Sequence, residues 1–301
     1  MRLPNVFTAI ADVAMGYLFV HGSLADGRQL GCLIATSALL YTAGMVLNDV
    51  FDFAVDAKVR PFRPLPSGQI GLATARTVGF ALLGLGVLCG WIAGYLPGAI
   101  AELPWCSGLV ATLIAIAVLA YDGCLKFTPL GPLGMGLCRF LNVLLGMSTA
   151  GELPRALILG YGPAELLVAA GIGVYIVGVT WFARSEASQS RAASLIAAMA
   201  VMTAGVFLLG ASSRYVDRLQ VQETHYWLLL ALLMATVLRR CGVAAADPIP
   251  EKVQAAVKHS ILSLIWLDAA TAAAASGPAY GIAIAALLVP AILLGRWVYS
   301  T

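Results

Sequence analysis

Long runs of apolar residues, separated by short polar or Gly/Pro-containing breaks, follow one another along the whole chain. Runs of about 17 to 25 residues are long enough to cross a bilayer as helices. The pattern predicts ten candidate spans, near residues 5–21, 31–48, 71–95, 104–122, 131–150, 163–183, 192–211, 225–240, 257–276 and 279–297. Only Ser276-Gly277-Pro278 separates the last two, which predicts either a hairpin or one long broken helix.

The composition of the chain also indicates a membrane protein. The 301 residues are 60% hydrophobic and 11% charged, with a mean hydropathy of +0.90, whereas a soluble domain carries roughly 25% charged residues. The net charge of +3 and the lack of a basic run argue against nucleic-acid binding. Six cysteines show no metal-binding spacing. We therefore expect an all-α, polytopic membrane protein with a single domain over residues 1–301.

The distribution of Lys and Arg predicts an orientation. With the N-terminus inside, only Arg28, Arg155, Arg214 and Arg218 fall on the outer side, and the other cations lie on inner loops or inner span ends. The positive-inside rule then places both termini in the cytoplasm. Loops 2–3, 4–5 and 6–7 open on the same face and can build one site. The expected location is a plasma membrane, as in the bacterial inner membrane.

The most polar stretch of the chain is Asn48–Gly68, which follows the second span. If the helix continues, at about 100° per residue, Asn48, Asp49, Asp52 and Asp56 share one face. Carboxylates packed this closely repel one another and are costly at the edge of a bilayer. An oxygen-preferring ion such as Mg²⁺ neutralises them, and protein-bound Mg²⁺ is usually shared with substrate phosphates.

Cations follow the acidic face, and they suit the remaining oxygens of a phosphorylated substrate. Arg60 and Arg63 come directly after it, and Lys126 lies in the loop between spans 4 and 5. Arg139 lies about two turns into span 5, where a charge usually faces a polar cavity. Asn142, at i+3, shares the face of Arg139. The alternative for Lys126 is ordinary positive-inside flanking, and a solvated helix end is the alternative for the acidic face.

Two further groups of polar residues are weaker signals. The loop after span 6 carries Glu186 and, one turn later, Ser190, which is either part of a metal site or a solvated helix-capping loop. Asp12 and Asp268 lie inside apolar spans, where they either line a cavity or satisfy a buried partner.

These residues resemble a known family. Asn48-Asp49-x-x-Asp52-x-x-x-Asp56, with the later run Arg63-Pro64-Leu65-Pro66-Ser67-Gly68, is similar to the first Asp-rich motif of the UbiA superfamily of intramembrane prenyltransferases. Tyr121 with Lys126 resembles the Tyr/Lys stretch after that family's fourth span.

The resemblance implies a helical barrel of nine or ten spans around a central cavity. It also implies a prenyl diphosphate bound through Mg²⁺ between two Asp-rich motifs, ionisation of the allylic C–O bond, and attack by a lipophilic acceptor, aromatic or alcohol. In that arrangement Asn48, Asp49, Asp52 and Asp56 serve the metal. Arg63, Tyr121 and Lys126 contact the diphosphate, and Asp52, Asp56, Tyr121 and Lys126 form the catalytic set.

The second Asp-rich motif departs from the family pattern. Aligned on Arg191, its two Asp positions are Glu186 and Ser190 here, so Glu186 is the one remaining carboxylate ligand. The cations Lys126, Arg139 and Arg184 are available to replace the missing charge. The departure suggests a divergent branch, such as the UbiA-like protein of bacterial ebo clusters.

Two other functions are compatible with the sequence. The weakened second motif is typical of a non-catalytic protein that binds isoprenoid diphosphates or lipids within a transport or biosynthetic export complex. An unrelated transporter would show inverted repeats, and we find no convincing internal repeat.

Overall fold

The computed structural model describes residues 3–24, 27–97, 102–151, 157–184, 192–216 and 219–298. Within these residues the chain forms α-helices joined by short loops, which confirms the prediction of an all-helical fold. The helices are α1 (Val6–His21), α2 (Gly27–Phe51), α3 (Phe53–Val59), α4 (Leu72–Gly94), α5 (Cys106–Gly123), α6 (Gly131–Met147), α7 (Pro163–Ala183), α8 (Ala192–Ala211), α9 (Glu223–Ala246), α10 (Pro250–Ser276), α11 (Pro278–Ala285) and α12 (Leu288–Val298).

Nine of the ten predicted spans each coincide with one helix, and the tenth is divided into α11 and α12. Seven segments of the described residues are long and apolar enough to cross a membrane: α2, α4, α5, α7, α9, α8 with the 3₁₀ turn that follows it, and the stretch from Pro278 to Gly295. Helices α1 and α6 are shorter apolar helices, with 16 and 17 residues. The protein is a multi-pass integral membrane protein.

The last two predicted spans are separate helices joined by a tight turn. Helix α10 ends at Ser276, and Gly277 has a φ of +111°, a value that residues with a Cβ rarely adopt. Pro278 then begins α11, because proline is well suited to the first turn of a helix. Helices α10 and α11 pack against each other, as the hairpin alternative predicts, and the final span is itself divided into α11 and α12, which was not predicted.

The helices that carry the site pack closely. Helix α1 contacts α2, α6 and α10, while α7 packs on α6 and α8. Gly146 of α6 lies against α1, where an added Cβ would be 2.3 Å from the carbonyl oxygen of Val13. Gly16 of α1 has the reciprocal position, 2.6 Å from the carbonyl oxygen of Val143. Small residues at such crossings let two membrane helices approach closely.

Candidate active site

The Asp-rich segment stays helical through a local irregularity. Helix α2 ends at Phe51 and α3 begins at Phe53, with Asp52 between them in a helical conformation. The Asp52 N–H donates to the Asn48 carbonyl at 2.9 Å, and the Asp56 N–H donates to the Asp52 carbonyl at 2.8 Å. The one-turn spacing of these three residues is therefore kept, as the shared polar face requires.

Lys126 pairs with the Asp at the centre of this segment. The Lys126 ammonium lies 2.7 Å from Asp52 Oδ1, with the two side chains 10% and 21% exposed. Lys126 belongs to a short 3₁₀ helix, Leu125–Phe127, in the loop between α5 and α6, and its ammonium lies 5.1 Å from the ring centre of Phe127. The ion pair brings together the two loops that the sequence assigned to one site.

Arg63 lies within ion-pair distance of the other two aspartates. Its Nη1 lies 2.6 Å from Asp56 Oδ2 and 3.7 Å from Asp49 Oδ1. Asp56 is buried, with 6% of the residue exposed, so the guanidinium offsets a costly charge. A compact turn holds Arg63 in place, because the Ser67 N–H donates to the Arg63 carbonyl at 2.9 Å. Arg60, at the end of α3, is exposed.

Asn48 faces inward from the same helix. Its Nδ2 donates to Asp122 Oδ1 at 2.8 Å, while its Oδ1 is buried without a hydrogen-bond donor. Asp122 is buried at the end of α5, next to Tyr121. The sequence prediction did not include Asp122 in the site. Its position four residues before Lys126, in the loop that was assigned to the site, could have indicated it.

The donor set suits Mg²⁺ chemically. Asn48 offers an unsatisfied amide oxygen, and carboxylates follow at Asp49, Asp52 and Asp56, which are the hard oxygen ligands that this ion prefers. Within the described part of the chain, no three His, Cys, Asp or Glu side chains already form a metal-binding group. The second-motif residues Glu186 and Ser190 lie outside the described residues.

A cavity of about 330 Å³ begins at Asn48 and extends into the bundle. Tyr121 and Asp122 join Asn48 at one part of its wall. Apolar side chains from α5, α7 and α10 form much of the remainder. They are Ile114, Val118, Ile176, Val179, Val257 and Ile261. A largely apolar cavity with a few polar groups is typical of a small-molecule site.

Arg139 and Asn142 line this cavity, and their hydrogen bonds to α1 run into the protein interior. Arg139 Nη1 donates to Asp12 Oδ2 at 2.8 Å, and Asn142 Nδ2 donates to the same oxygen at 3.0 Å. The Arg139 guanidinium also lies 5.5 Å from the ring centre of Tyr41. Asp12 therefore satisfies a buried partner, one of the two roles that the sequence allowed.

Arg184 links the end of α7 to the loop that carries Lys126. Its Nη2 donates to the Lys126 carbonyl at 2.8 Å and also to the Thr128 carbonyl. The sequence suggested Arg184 only as a replacement phosphate donor. Its contacts with backbone carbonyls could not be read from a linear pattern, because they join residues more than fifty positions apart.

Comparisons with known proteins identify a family and a fold for this chain. The model of the UbiA prenyltransferase family matches residues 9–249. Digeranylgeranylglyceryl phosphate synthase from Metallosphaera sedula is 32% identical over 128 residues, which is 42% of each chain. The synthase of the same name from Ignicoccus hospitalis is 36% identical over 161 residues, covering 52% of this chain and 47% of the relative. The chain thus spans less than half the length of these two curated relatives.

Solved structures show the same fold. A structure of digeranylgeranylglyceryl phosphate synthase aligns with a TM-score of 0.65 and 20% identity over 91% of this chain and 95% of that chain. A UbiA homolog from Archaeoglobus fulgidus, bound to GPP and Mg²⁺, aligns with a TM-score of 0.57 and 17% identity over 94% and 96%. With the family model matching most of the chain, this protein belongs to the UbiA prenyltransferase family.

Proposed function

We propose that this protein transfers a prenyl group from a prenyl diphosphate to a lipophilic acceptor, aromatic or alcohol, inside the membrane, and that the reaction depends on Mg²⁺. The observation that carries the proposal is the position of Asn48, which begins the Asp-rich face and also lines the apolar cavity. The GPP and Mg²⁺ bound to the Archaeoglobus fulgidus homolog support the same assignment.

The residues divide into a metal-holding set and a diphosphate-holding set. Asn48, Asp49, Asp52 and Asp56, together with Glu186, would hold Mg²⁺. When bound, the ion stabilises the negative charge that develops on the leaving diphosphate. A second set supplies cationic donors to the diphosphate oxygens: Arg60, Arg63 and Lys126.

The ion pairs of the site hold the metal-binding and the diphosphate-binding side chains next to one another before the substrate binds. Lys126 pairs with Asp52, and Arg63 pairs with Asp56 and, at 3.7 Å, with Asp49, so each of the three carboxylates has a cation within 4 Å although two cations face three carboxylates. A magnesium diphosphate brings a cation for the carboxylates and an anion for Lys126 and Arg63. Each side chain can therefore change partner without becoming an isolated charge, which limits the cost of binding at the membrane edge.

The apolar cavity protects the reactive intermediate. The allylic C–O bond breaks with its electron pair remaining on the diphosphate oxygen, and the acceptor then attacks the allylic cation and loses a proton. Ile114, Val118 and Val179 supply walls that exclude water. Tyr121 lines the same cavity as Asn48 and would contact the diphosphate or the allylic end of the chain.

Arg139 and Asn142 take a different place in this proposal from the one the sequence suggested. Both N–H groups of the Asn142 amide have acceptors in α1, the carbonyl of Ala9 and the carboxylate of Asp12. Arg139 is paired with the same carboxylate. We therefore assign these two residues to the wall of the cavity and leave the diphosphate to Arg60, Arg63 and Lys126.

The deciding experiment is release of pyrophosphate by membranes that contain the protein, supplied with Mg²⁺, a mixture of prenyl diphosphates and native lipid extract. Asp52→Ala should lower the release by at least about a hundredfold, the typical cost of one lost electrostatic stabiliser. Asp247→Ala is the matched control, because Asp247 also pairs with a lysine, Lys252 at 2.6 Å, in an exposed position away from the cavity.

The two outcomes separate catalysis from binding. Release that depends on Asp52 but not on Asp247 would support an enzyme, and a labelled product would identify the acceptor. If wild-type membranes release no pyrophosphate above the Asp52→Ala level but still bind prenyl diphosphate with Mg²⁺, the catalytic proposal is wrong. The protein would then be a binding component, as the weakened second motif alternatively suggests.

A further inference from the structure

A buried polar cluster forms one wall of the cavity. Arg139 donates from Nη1 to Asp12 at 2.8 Å and from Nη2 to Thr8 Oγ1 at 2.7 Å. Asn142 donates to Asp12 at 3.0 Å and to the Ala9 carbonyl at 2.9 Å. Asp12 and Thr8 have no exposed surface, so the cluster lies between α1 and α6 rather than in solvent.

A second carboxyl group adjoins the cluster from α10. Asp268 is fully buried, its two carboxyl oxygens have no hydrogen-bond partner among the residues that the structure describes, and it is near enough to Asp12 and Arg139 to interact with them electrostatically. One guanidinium therefore faces two carboxyl groups. The cluster has a net positive charge only if both carboxyls are protonated, and the 2.8 Å ion pair between Arg139 and Asp12 argues against that state. Arg139, the one guanidinium that lines the cavity among the described residues, thus brings no excess positive charge.

Several other polar groups that line the cavity are neutral, and Asp122 adds a carboxylate rather than a cation. Ser37 lines the cavity and donates to Asn142 Oδ1 at 2.7 Å, and its hydroxyl oxygen is still able to accept a hydrogen bond. Arg139 has five N–H donors, of which two are used in the bonds to Asp12 and Thr8. Further neutral polar side chains that line the cavity are Asn5, Tyr41 and Thr180.

This arrangement discriminates by charge. A carboxylate or phosphate placed beside Arg139 would lose its hydration and would meet a guanidinium whose charge Asp12 already balances. Burying an ion costs free energy unless it meets an opposite charge that no other group already balances. A hydroxyl group meets no such penalty, because the remaining N–H donors of Arg139 and the neutral groups around it can satisfy its oxygen and its proton.

We propose that the acceptor is a neutral hydroxylated compound and that Asp12, by balancing Arg139, excludes acceptors that carry a carboxylate or a phosphate. The inference rests on the proposed function, since it names the substrate class for the same cavity. Arg139 is then a specificity-determining residue that donates to an acceptor hydroxyl, and Asp12 and Asn142 are positioning residues behind it.

The test measures binding without any turnover. The full-length protein in detergent, without prenyl diphosphate or Mg²⁺, is titrated with two matched pairs of probes while its melting midpoint is followed. One pair is 4-hydroxybenzyl alcohol and 4-hydroxybenzoate, and the other is 1-O-octylglycerol and its 3-phosphate. In at least one pair the neutral member should bind at least about tenfold more tightly, a difference of about 1.4 kcal/mol.

The variant Asp12→Asn provides the second part of the test. It leaves Arg139 without a full counter-charge, so the preference for the neutral probe should shrink or reverse. Asp268→Asn is the matched control, because it keeps the Asp12–Arg139 pair and should keep the neutral preference. The wild-type comparison does not depend on whether either variant folds. Tighter or equal binding of the charged member in both pairs, or binding of neither neutral probe, would overturn the inference.

Failure of this inference can be told apart from failure of the proposed function. Loss of pyrophosphate release with the neutral preference intact would argue against catalysis only. A preference for charged probes in a protein that does release pyrophosphate in an Asp52-dependent way would reject the neutral acceptor only.

Discussion

The ammonium group of Lys126 lies 2.7 Å from Asp52 and joins the loop after α5 to the junction of α2 and α3. Both side chains are largely withdrawn from solvent, so the pair is less screened than an exposed one. Neither partner can be removed without changing the electrostatic environment of the other. The pair is thus the most direct place to test whether the two loops act as one site.

Lys126→Met should reduce pyrophosphate release by about a hundredfold, because it removes a cationic donor from the diphosphate. Groups that act together are not additive. Adding Asp52→Asn to Lys126→Met should therefore cost less than the product of the two single effects. Initial rates of the four proteins complete the cycle, and Lys252→Met in the exposed pair is the control. Strictly multiplicative effects would show that the two residues act independently.

Arg63→Gln should lower thermal stability in detergent, because it leaves the buried Asp56 without its 2.6 Å partner. Leaving a buried polar group unsatisfied costs about 1–3 kcal/mol. Lys252→Gln breaks an exposed pair and should cost less than about 1 kcal/mol. Asp56→Asn should restore part of the stability of Arg63→Gln. An unchanged melting midpoint for Arg63→Gln would show that Asp56 does not depend on Arg63.

Arg184→Gln should lower pyrophosphate release by about ten- to a hundredfold through displacement of Lys126, since a small misplacement of a positioned group can cost that much. Arg239→Gln, on the exposed surface of α9, is the control. If Arg184 acts through Lys126, the same substitution should have no further effect in a Lys126→Met background. A full additional loss in that background would assign Arg184 a direct role.

Gly146→Val should destabilise the bundle, because its Cβ would overlap the backbone of α1 at Val13. Overpacking of this kind costs about 1–3 kcal/mol. Gly84→Ala is the control, since a Cβ at Gly84 of α4 meets no atom within 4 Å. Melting midpoints and gel-filtration profiles of the two variants make the comparison. Equal stability would mean that α1 and α6 can separate without cost.

The chain pattern was sufficient to predict the helices and the acidic face. Predicted spans 163–183 and 192–211 agree with α7 and α8, because each apolar run is bounded by residues that end a helix or favour water. The turn at Gly277 is confirmed for a similar local reason. The irregularity at Asp52 was not predicted, yet the i→i+4 backbone bonds across it preserve the spacing on which the metal hypothesis depends.

Contacts between residues that are distant in sequence could not be predicted from the local pattern. The pairing of Asp12 with Arg139 joins residues more than a hundred positions apart, and it depends on how α1 lies against α6. Asn48 and Asp122 meet for the same kind of reason. Local periodicity can place a polar residue on a face, but only the packing of the helices decides whether that face meets substrate or another side chain.

The pairing of Asp12 with Arg139 also constrains how the protein is made. Helix α1 has only 16 residues, with Asp12 near its middle, and an aspartate at the centre of a lipid-exposed helix costs about 3 kcal/mol. Its counter-charge is in α6, which leaves the ribosome only after the intervening helices. Helix α1 should therefore be more stably inserted once α6 is present than before, and a nascent chain that stops before Arg139 should leave α1 less firmly anchored in the bilayer.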